Sequence, residues 1–335
     1  MRQPTTGACR GWAPRIIALA RQALAGGLRR VFLCYPGTVF FISGRTVPGG
    51  PLPRPVEVFP PVNMERFQDL AQQDEADLQL DRGALEIARI GYPDLDPEPS
   101  IAQLDALAAR LRARPAAGPG LRDRVEQLTR FLFGEEGFQG NYDDYYDPRN
   151  SYLNDVLQRR TGLPIALGVV LLEVGRRLEL PLEGVGFPGN FLVRLRDGRQ
   201  DSFLDPFRGG RVLDRQECQL LLERALGPQV VLEGRFLEPM GPRSILVRML
   251  RNLKVIFLSK NDTGRAGDVL DALLLLDPAS WIDRRDRGKL RHSQGDLMGA
   301  AADLEAYVLN HSQAEDVDDV RSLLQQVRRH QALVN

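Results

Sequence analysis

The stretch from Leu163 to Val174 constrains the fold more than any other part of this sequence. It reads LPIALGVVLLEV, and Glu173 is its only charged residue. Gly162 is a typical stop signal for a preceding helix, which begins at the DPRNS segment, and Pro164 suits the first turn of a new helix. Since a helix that is apolar almost all round avoids water, we expect this one to be buried inside the protein.

Two alternating runs after this helix predict a β-hairpin. The first run, VGFPGNFLVRL, spans residues 185–195, and Asp197-Gly198 is a type I′ turn signal before the second run. A two-residue loop fixes the register of the two strands. The expected facing pairs are Leu192 with Phe203, Arg194 with Asp201, and Asn190 with Asp205.

Helical patterns lie on both sides of this region. From Met64, apolar residues recur at helical spacing in three segments, which predict a helical N-terminal lobe. After residue 241 the pattern becomes helical again. The sequence therefore predicts an α+β fold, with a helical lobe, a core that contains a small antiparallel sheet, and a helical C-terminal part.

The C-terminal part repeats with an offset of 34 residues, which is the tetratricopeptide (TPR) period. Gly288, Gly295 and Ala300 fall where small residues let helices cross. Two repeats cannot bury a solenoid core alone, so we expect them to pack on the first domain or on a partner. The matching pairs are Asp262 with Asp296, Ala266 with Ala300, Leu270 with Leu304, and Leu273 with Tyr307.

Residues 1–63 differ in composition from the rest of the chain. They contain eight arginines but one acid, Glu57, and they are rich in Pro and Gly. The apolar run from Val31 to Ile42 is too short to span a bilayer. We expect residues 1–63 to be a poorly ordered extension or translated sequence upstream of a start at Met64, residues 64–238 to form one domain, and residues 242–335 to form the repeats.

Net charge and cysteine content narrow the function classes. The formal net charge is zero, so no global field attracts nucleic acid or a membrane surface. Cys9, Cys34 and Cys218 are too few and too scattered for a disulfide framework or a zinc site. These observations favour a cytoplasmic protein without a resident cofactor.

The predicted hairpin places an amide and a carboxylate, Asn190 and Asp205, near the start of the buried helix. A histidine at position 190 and a cysteine on that helix would complete a thiol triad. The helix dipole would lower the pKa of the thiol, the imidazole would take its proton, and the carboxylate would orient the ring.

Four motifs carry a resemblance to a known family. They are GFQGNYDDYYDPRNSYLNDVL, RRTGLPIAL, GVGFPGNF and LDPFRGGRVL. With them, the chain from about residue 64 resembles the bacterial family described as regulators of SirC expression, which has a transglutaminase-like (papain-like) domain followed by TPR repeats. In that family the histidine of PGHF falls on Asn190 and the aspartate of DPF falls on Asp205. The thiol of active transglutaminases falls near Pro164 or Ala166, and no residue from 163 to 170 is Cys, Ser or Thr.

The missing groups predict that the chain is not an enzyme. All three histidines lie in the last 44 residues, at positions 292, 311 and 330. An asparagine side chain does not titrate near neutral pH and cannot act as a general base. Cys218 lies in DRQECQLLLERAL with leucines at i+3 and i+4, which favours a core position over a nucleophile.

A group of polar residues remains at the degenerate site. Two interpretations are open: Asn190 and Asp205 are only caps and turn residues, or they line a binding groove kept after catalysis was lost. Asn150, Asn154 and Arg208 belong to the same motifs. The acids in GNYDDYYDP lack a defined ligand geometry, so we predict no metal site.

Three functions are weighed. The first is a non-catalytic binding or regulatory module. The second is a cryptic thiol-type acyltransferase or peptidase. The third is a peptide-binding TPR adaptor in which the first domain is a scaffold. The expected partner is a protein or peptide that binds the repeats or the groove, with no nucleic acid and no membrane.

Overall fold

The computed structural model describes residues 62–198 and 201–334, together with two short strands, β1 (Leu33–Tyr35) and β2 (Thr38–Phe40), which pair antiparallel. The contacts divide the chain into two units, Met1–Phe59 and Pro60–Asn335. The prediction of a poorly ordered extension therefore lies almost entirely outside the described residues.

The N-terminal lobe is helical, as the apolar spacing predicts. Asn63 caps the first helix by accepting a hydrogen bond from the backbone N–H of Glu65. A π-helical turn, Arg130–Glu135, follows the fourth helix. The apolar stripes of these helices are buried in the main core. The four helices are α1 (Met64–Gln72), α2 (Leu80–Ala88), α3 (Glu98–Arg112) and α4 (Leu121–Thr129).

The DPRNS segment does not cap a helix that ends at Gly162, so that prediction is wrong. Asp147 instead caps a 3-10 turn, Pro148–Asn150, and the following helix α5 (Leu153–Arg159) ends at Arg160, which has a left-handed φ of 58°. Gly162 lies in strand β4 (Thr161–Gly162), which pairs in parallel with β3 (Gln139–Gly140). The chain thus places one short strand between two helices.

Helix α6 (Pro164–Arg177) confirms the prediction of a buried helix. Every residue from Pro164 to Gly175 is buried. Its one acid, Glu173, accepts hydrogen bonds from Arg176 and Arg177, so the buried carboxylate has cationic partners. The core of the protein is therefore built around α6.

A five-stranded antiparallel sheet packs on α6. Its strand order is β8-β7-β6-β5-β9. Side chains of β6 alternate between two cores: Val193 and Leu195 join the main core, whereas Leu192 joins a second core with Cys218 and Leu222 of helix α7 (Arg215–Leu226). The strands are β5 (Leu182–Val185), β6 (Leu192–Leu195), β7 (Ser202–Asp205), β8 (Arg211–Leu213) and β9 (Pro239–Met240).

The register predicted for the hairpin is wrong by two residues. Val193 faces Leu204 and Arg194 faces Phe203, because the connection between β6 and β7 is longer than the predicted two-residue turn. Asn190 lies in the turn before β6 and not on a strand, and Asp205 faces Arg211 of β8. A shift of two residues preserves the side-chain period, so the faces of the strands stay as predicted.

The repeats form as the 34-residue offset predicts. Asp262 and Asp296 each cap a helix by accepting a hydrogen bond from the backbone N–H three residues later. The other matching residues are buried. Gly295 is not at a helix crossing as predicted; it ends a helix with a φ of 83°. The helices are α8 (Pro242–Ser259), α9 (Thr263–Leu276), α10 (Trp281–Gln294), α11 (Leu297–Asn310) and α12 (Val317–Val334).

The first repeat helices pack on the first domain, which confirms that expectation. Leu246 of α8 and Leu270 of α9 belong to the same core as Leu85 and Ile165. Gly83 of α2 leaves room for the side chain of Leu246, because a Cβ at Gly83 would lie 2.5 Å from that side chain. Helices α11 and α12 bury a separate core. Within the part of the chain that is described, no helix is both long and apolar enough to cross a membrane.

Candidate functional site

Asn190 and Asp205 are in direct contact at the mouth of the sheet. The Nδ2 atom of Asn190 donates a hydrogen bond to Oδ2 of Asp205 at 3.1 Å. The contact that we expected is present, although the register expected to produce it is wrong. It forms because Asp205 ends β7 while Asn190 lies in the turn before β6, at the same end of the sheet.

Asp205 is fully buried, and its carboxylate is well supplied with donors. Its Oδ1 accepts from the backbone N–H groups of Phe207 and Arg208, at 3.1 and 3.3 Å, and thereby caps the 3-10 turn Pro206–Arg208. Its Oδ2 accepts from Asn190 and from Nη1 of Arg208, at 3.3 Å. Burial raises the pKa of Asp205, while Arg208 and Asn190 act in the opposite direction. These hydrogen bonds therefore hold the Asp205 carboxylate in a structural role.

The start of α6 packs close to this pair. The ring of Phe191, the residue after Asn190, lies against Gly168, where a Cβ would be only 2.4 Å from the ring. Pro164 and Ala166, the two candidate positions for the missing thiol, are both buried within the turn of α6 before Gly168. The helix supplies backbone and methyl groups here, and neither position carries a nucleophile.

Cys218 occupies a core position on α7. It is fully buried in the second core, which it shares with Leu192 and Leu222. Burial raises the pKa of its thiol to about 11, so the thiolate is scarce at neutral pH. This agrees with the prediction of a core residue.

Asn150 holds the neighbouring loop together. Its fully buried side chain donates to the carbonyl of Asp144 at 2.7 Å and accepts from Asn141 at 3.1 Å. The backbone carbonyl of Asn150 accepts a hydrogen bond from the backbone N–H of Leu163, the residue just before α6. Asn150 therefore links the 141–145 loop to the start of the buried helix, which is a structural use of its polar groups.

Asn154 and Arg208 have different surroundings. The Oδ1 atom of Asn154 is buried and accepts no hydrogen bond from any described residue. No hydrogen bond in the described ranges joins Asn154 to Asn190 or Asp205, so the structure does not place it in the same cluster. Arg208 does lie in that cluster, and 41% of its side chain is exposed.

Arg248 lies on α8 and reaches this site, although no motif in the sequence predicts it. Its Nη2 atom donates to the carbonyl oxygens of Phe187, at 2.9 Å, and of Asn190. A Cβ at Gly186 would lie 3.1 Å from Nη1, so the absence of a side chain there leaves room for the guanidinium. The signal in the sequence is a lone arginine within SILVRML, where its neighbours are apolar.

Aromatic rings line the same neighbourhood. The ring of Phe207 lies 4.6 Å from that of Tyr142 and 6.0 Å from that of Tyr145, and Tyr145 contacts Tyr146 at 5.4 Å. About half of Tyr142 and 42% of Tyr146 are exposed. Burial raises the pKa of Tyr145 to about 12, and the Arg248 guanidinium acts in the opposite direction. Arg248, Tyr145 and Phe207 therefore belong to one partly buried cluster.

A metal-binding role finds no support in the side-chain geometry. Between residues 62 and 334, leaving out 199 and 200, no group of three or more His, Cys, Asp or Glu side chains is arranged to hold a metal ion. The acids of the GNYDDYYDP loop are therefore not gathered into a ligand set. The site consists of Asn190, Asp205, Arg208, Arg248 and the loop that carries Tyr142, Tyr145 and Tyr146.

Comparison with family models agrees with this architecture. Residues 98–251 match the transglutaminase-like superfamily, and residues 253–325 match a tetratricopeptide repeat model. The boundary between the two matches falls within α8. Arg248 belongs to the end of the first match.

Curated relatives cover most of the chain. A UPF0162 protein of Xylella fastidiosa strain 9a5c is 40% identical over 261 residues, which is 77% of this chain and 93% of that protein. A UPF0162 protein of Pseudomonas aeruginosa is 33% identical over 72% of this chain and 86% of its own length. F-box only protein 21 of Mus musculus is 36% identical over 38% of this chain and 21% of its own length. No solved structure matches this chain.

Proposed function

Since this chain belongs to the UPF0162 family and carries a transglutaminase-like domain followed by TPR repeats, we propose that it is a non-catalytic binding or regulatory module. The observation that carries this proposal is the Asn190–Asp205 pair. By the family resemblance, an amide stands at the position where a thiol triad needs an imidazole, and this amide donates a hydrogen bond to the Asp205 carboxylate.

Acyl transfer by a thiol needs a nucleophile and a base that can take its proton. Asn190 does not titrate near neutral pH, and the first turns of α6 offer only apolar side chains. Cys218 is buried in a different core and has a raised pKa. These features support a site that has kept the framework of a triad without its reactive groups.

Exposed side chains around Asp205 form a surface that a partner could contact. Arg208 is partly exposed, and Tyr142 and Tyr146 expose their rings beside the Asp205 turn. We infer that a protein or peptide partner binds this surface or the repeats, in the cytoplasm and without nucleic acid or membrane. Action as a regulator of SirC expression stays a prediction from the family resemblance.

The shared core bears on the adaptor alternative. In that alternative the repeats alone bind the partner, and the first domain only supports them. Helices α8 and α9 bury their apolar faces in the core of the first domain. We therefore expect partner binding to need the whole unit from Pro60 onward, which favours the binding module over a separable adaptor.

The test uses the purified full-length chain. It is incubated with a glutamine-containing peptide and a fluorescent primary amine, and separately with a peptide p-nitroanilide, beside an active transglutaminase and an active thiol protease. We expect no product above the no-protein control. Turnover that disappears in the Cys218→Ala variant would support the cryptic enzyme instead.

A further inference from the structure

We propose that Arg248 binds a carboxylate group of a ligand at the mouth of the degenerate site. The inference rests on the proposed function, because it treats that site as a place where a ligand is held and not consumed. It deepens the proposal by naming the chemistry of the ligand and the residue that recognises it.

Arg248 differs from the other cations of its helix. Helix α8 carries four cationic side chains. Three of them have carboxylate partners: Arg243 pairs with Glu75, Arg251 with Asp277 and Asp283, and Lys254 with Asp283 and Asp286. Arg248 pairs with no carboxylate among the described residues.

The guanidinium of Arg248 is held in place by neutral groups. One nitrogen, Nη2, donates to two backbone carbonyls of the turn that contains Asn190. The other two nitrogens, Nε and Nη1, donate to no described group, and the residue is only partly buried. The carbonyls therefore fix the orientation of the cation while leaving N–H groups for a further acceptor.

The electrostatic surroundings favour an anion. Burial lowers the pKa of Arg248 to about 10, and only the Tyr145 hydroxyl acts against that effect. The side chain still carries its charge at neutral pH. A partly buried charge without a counter-ion is unfavourable, and an anionic acceptor would relieve that cost.

Two features favour a ligand that carries both a carboxylate and an apolar group. One cation without a carboxylate partner is balanced by one monoanion, which a carboxylate supplies. Tyr145, which interacts with Arg248, is in ring contact with Phe207. We therefore expect the carboxylate to belong to a molecule that also presents an aromatic or large apolar group, such as a peptide whose last residue is aromatic.

The first experiment uses the unmodified full-length chain and two probes that differ only in the carboxylate. N-acetylphenylalanine and N-acetylphenylalaninamide are titrated and followed by isothermal calorimetry and ligand-observed NMR. The acid should bind at least tenfold more tightly than the amide. Equal binding of both probes, or no binding of the acid, would refute the inference whatever the variants do.

The second experiment assigns the effect to Arg248. The Arg248→Gln variant should lose at least tenfold in affinity for the acid, and Arg248→Lys should keep part of it. Arg243→Gln is the matched control, because Arg243 is on the same helix and also donates to backbone carbonyls. Unchanged affinity in Arg248→Gln would overturn the assignment, and thermal melts of each variant verify folding.

Two further probes distinguish the sources of the carboxylate. Binding of N-acetyl-Gly-Gly-Phe that is tighter than that of 3-phenylpropionate would indicate a peptide C-terminus, and the reverse would indicate a small free acid. Inorganic phosphate that binds more tightly than either would refute a carboxylate site. Conversion of the amide probe to the acid in the NMR samples would contradict the non-catalytic proposal and not the binding inference, so the two failures are distinguishable.

Discussion

Replacing Asn190 with aspartate tests the contact at the centre of the site. The substitution keeps the size of the side chain but exchanges a donor for a second carboxylate, 3.1 Å from Oδ2 of Asp205. Two unit charges at this separation repel by about 5 kcal/mol at an effective dielectric constant of about 20. Because Asn190 is partly exposed, solvent screens the pair, and we expect a loss of about 2–4 kcal/mol in the free energy of unfolding at pH 7.5.

The loss should depend on pH with a definite sign. Burial already raises the pKa of Asp205, and a second carboxylate raises the pKa of the pair further. A group whose pKa is higher in the folded state than in the unfolded state stabilises the fold below its unfolded pKa. That stability is lost as the pH rises through the folded pKa. Asn190→Asp should therefore recover most of its stability at pH 4.

The assay is urea denaturation followed by circular dichroism between pH 4 and pH 8. Asn190→Ala is the matched control, since it removes the hydrogen bond without adding a charge; it should cost about 1–2 kcal/mol at pH 7.5, with a weaker pH dependence than Asn190→Asp. The two variants should diverge as the pH rises. If Asn190→Asp follows Asn190→Ala across the whole range, Asp205 is not close enough or not charged enough for the reasoning to hold.

Three other predictions concern positions away from this pair. Burial, together with Asp271 and Asp262, raises the pKa of Asp268 to about 6, so the stability that depends on its proton is present at low pH and is lost as the pH rises through about 6. Asp268→Asn should therefore stabilise the protein by about 1 kcal/mol at pH 7.5, after allowance for solvent screening, and should have no such effect at pH 4.5. Equal effects on thermal melts at the two pH values would contradict this prediction. Cys218 should react with iodoacetamide only under unfolding conditions, as peptide mass spectrometry of native and urea-treated samples would reveal, and rapid native labelling would show that its core opens. A chain that begins at Met64 should melt within a few degrees of the full-length chain, and a midpoint lower by more than about 8 °C would mean that the preceding residues belong to the fold.

The buried helix and the repeats were predictable because their signals are local. An unbroken apolar run is stable only in the protein interior, and α6 is buried there from Pro164 to Gly175. Aspartates 34 residues apart each cap a helix, which is a local use of a carboxylate. Patterns of this kind report which side chains avoid water and which backbone N–H groups need a partner.

The hairpin register was not predictable from the turn signal alone. Asp197-Gly198 matches a two-residue turn, yet the strands end earlier and Arg194 faces Phe203. A shift by two residues leaves every side chain on the same face of the sheet. The apolar pattern therefore cannot distinguish the two registers. The Arg194–Asp201 ion pair also survives the shift, at 3.3 Å, because its side chains reach diagonally.

Arg248 was not predictable as a site residue because its partners are backbone carbonyls of a distant turn. Phe187 and Asn190 lie 61 and 58 residues before it in the chain. Only the packing of α8 on the first domain brings them together, and that packing depends on contacts such as Leu246 against Gly83. A lone arginine among apolar neighbours indicates partial burial but cannot indicate what the cation will meet.

The persistence of a polar pair at this site has a physical reason that is independent of catalysis. Asp205 is needed to cap the Pro206–Arg208 turn, and its burial makes each of its acceptor positions costly to leave empty. A side chain at position 190 that donates a hydrogen bond meets this need, whether it is an imidazole or an amide. Asparagine supplies the donor without a titrating group, so the contact with Asp205 does not depend on catalytic chemistry. Contact between residues 190 and 205 is therefore evidence for the fold. Evidence for function must come from groups that the fold leaves available, such as the Arg248 nitrogens Nε and Nη1, which donate to no described group.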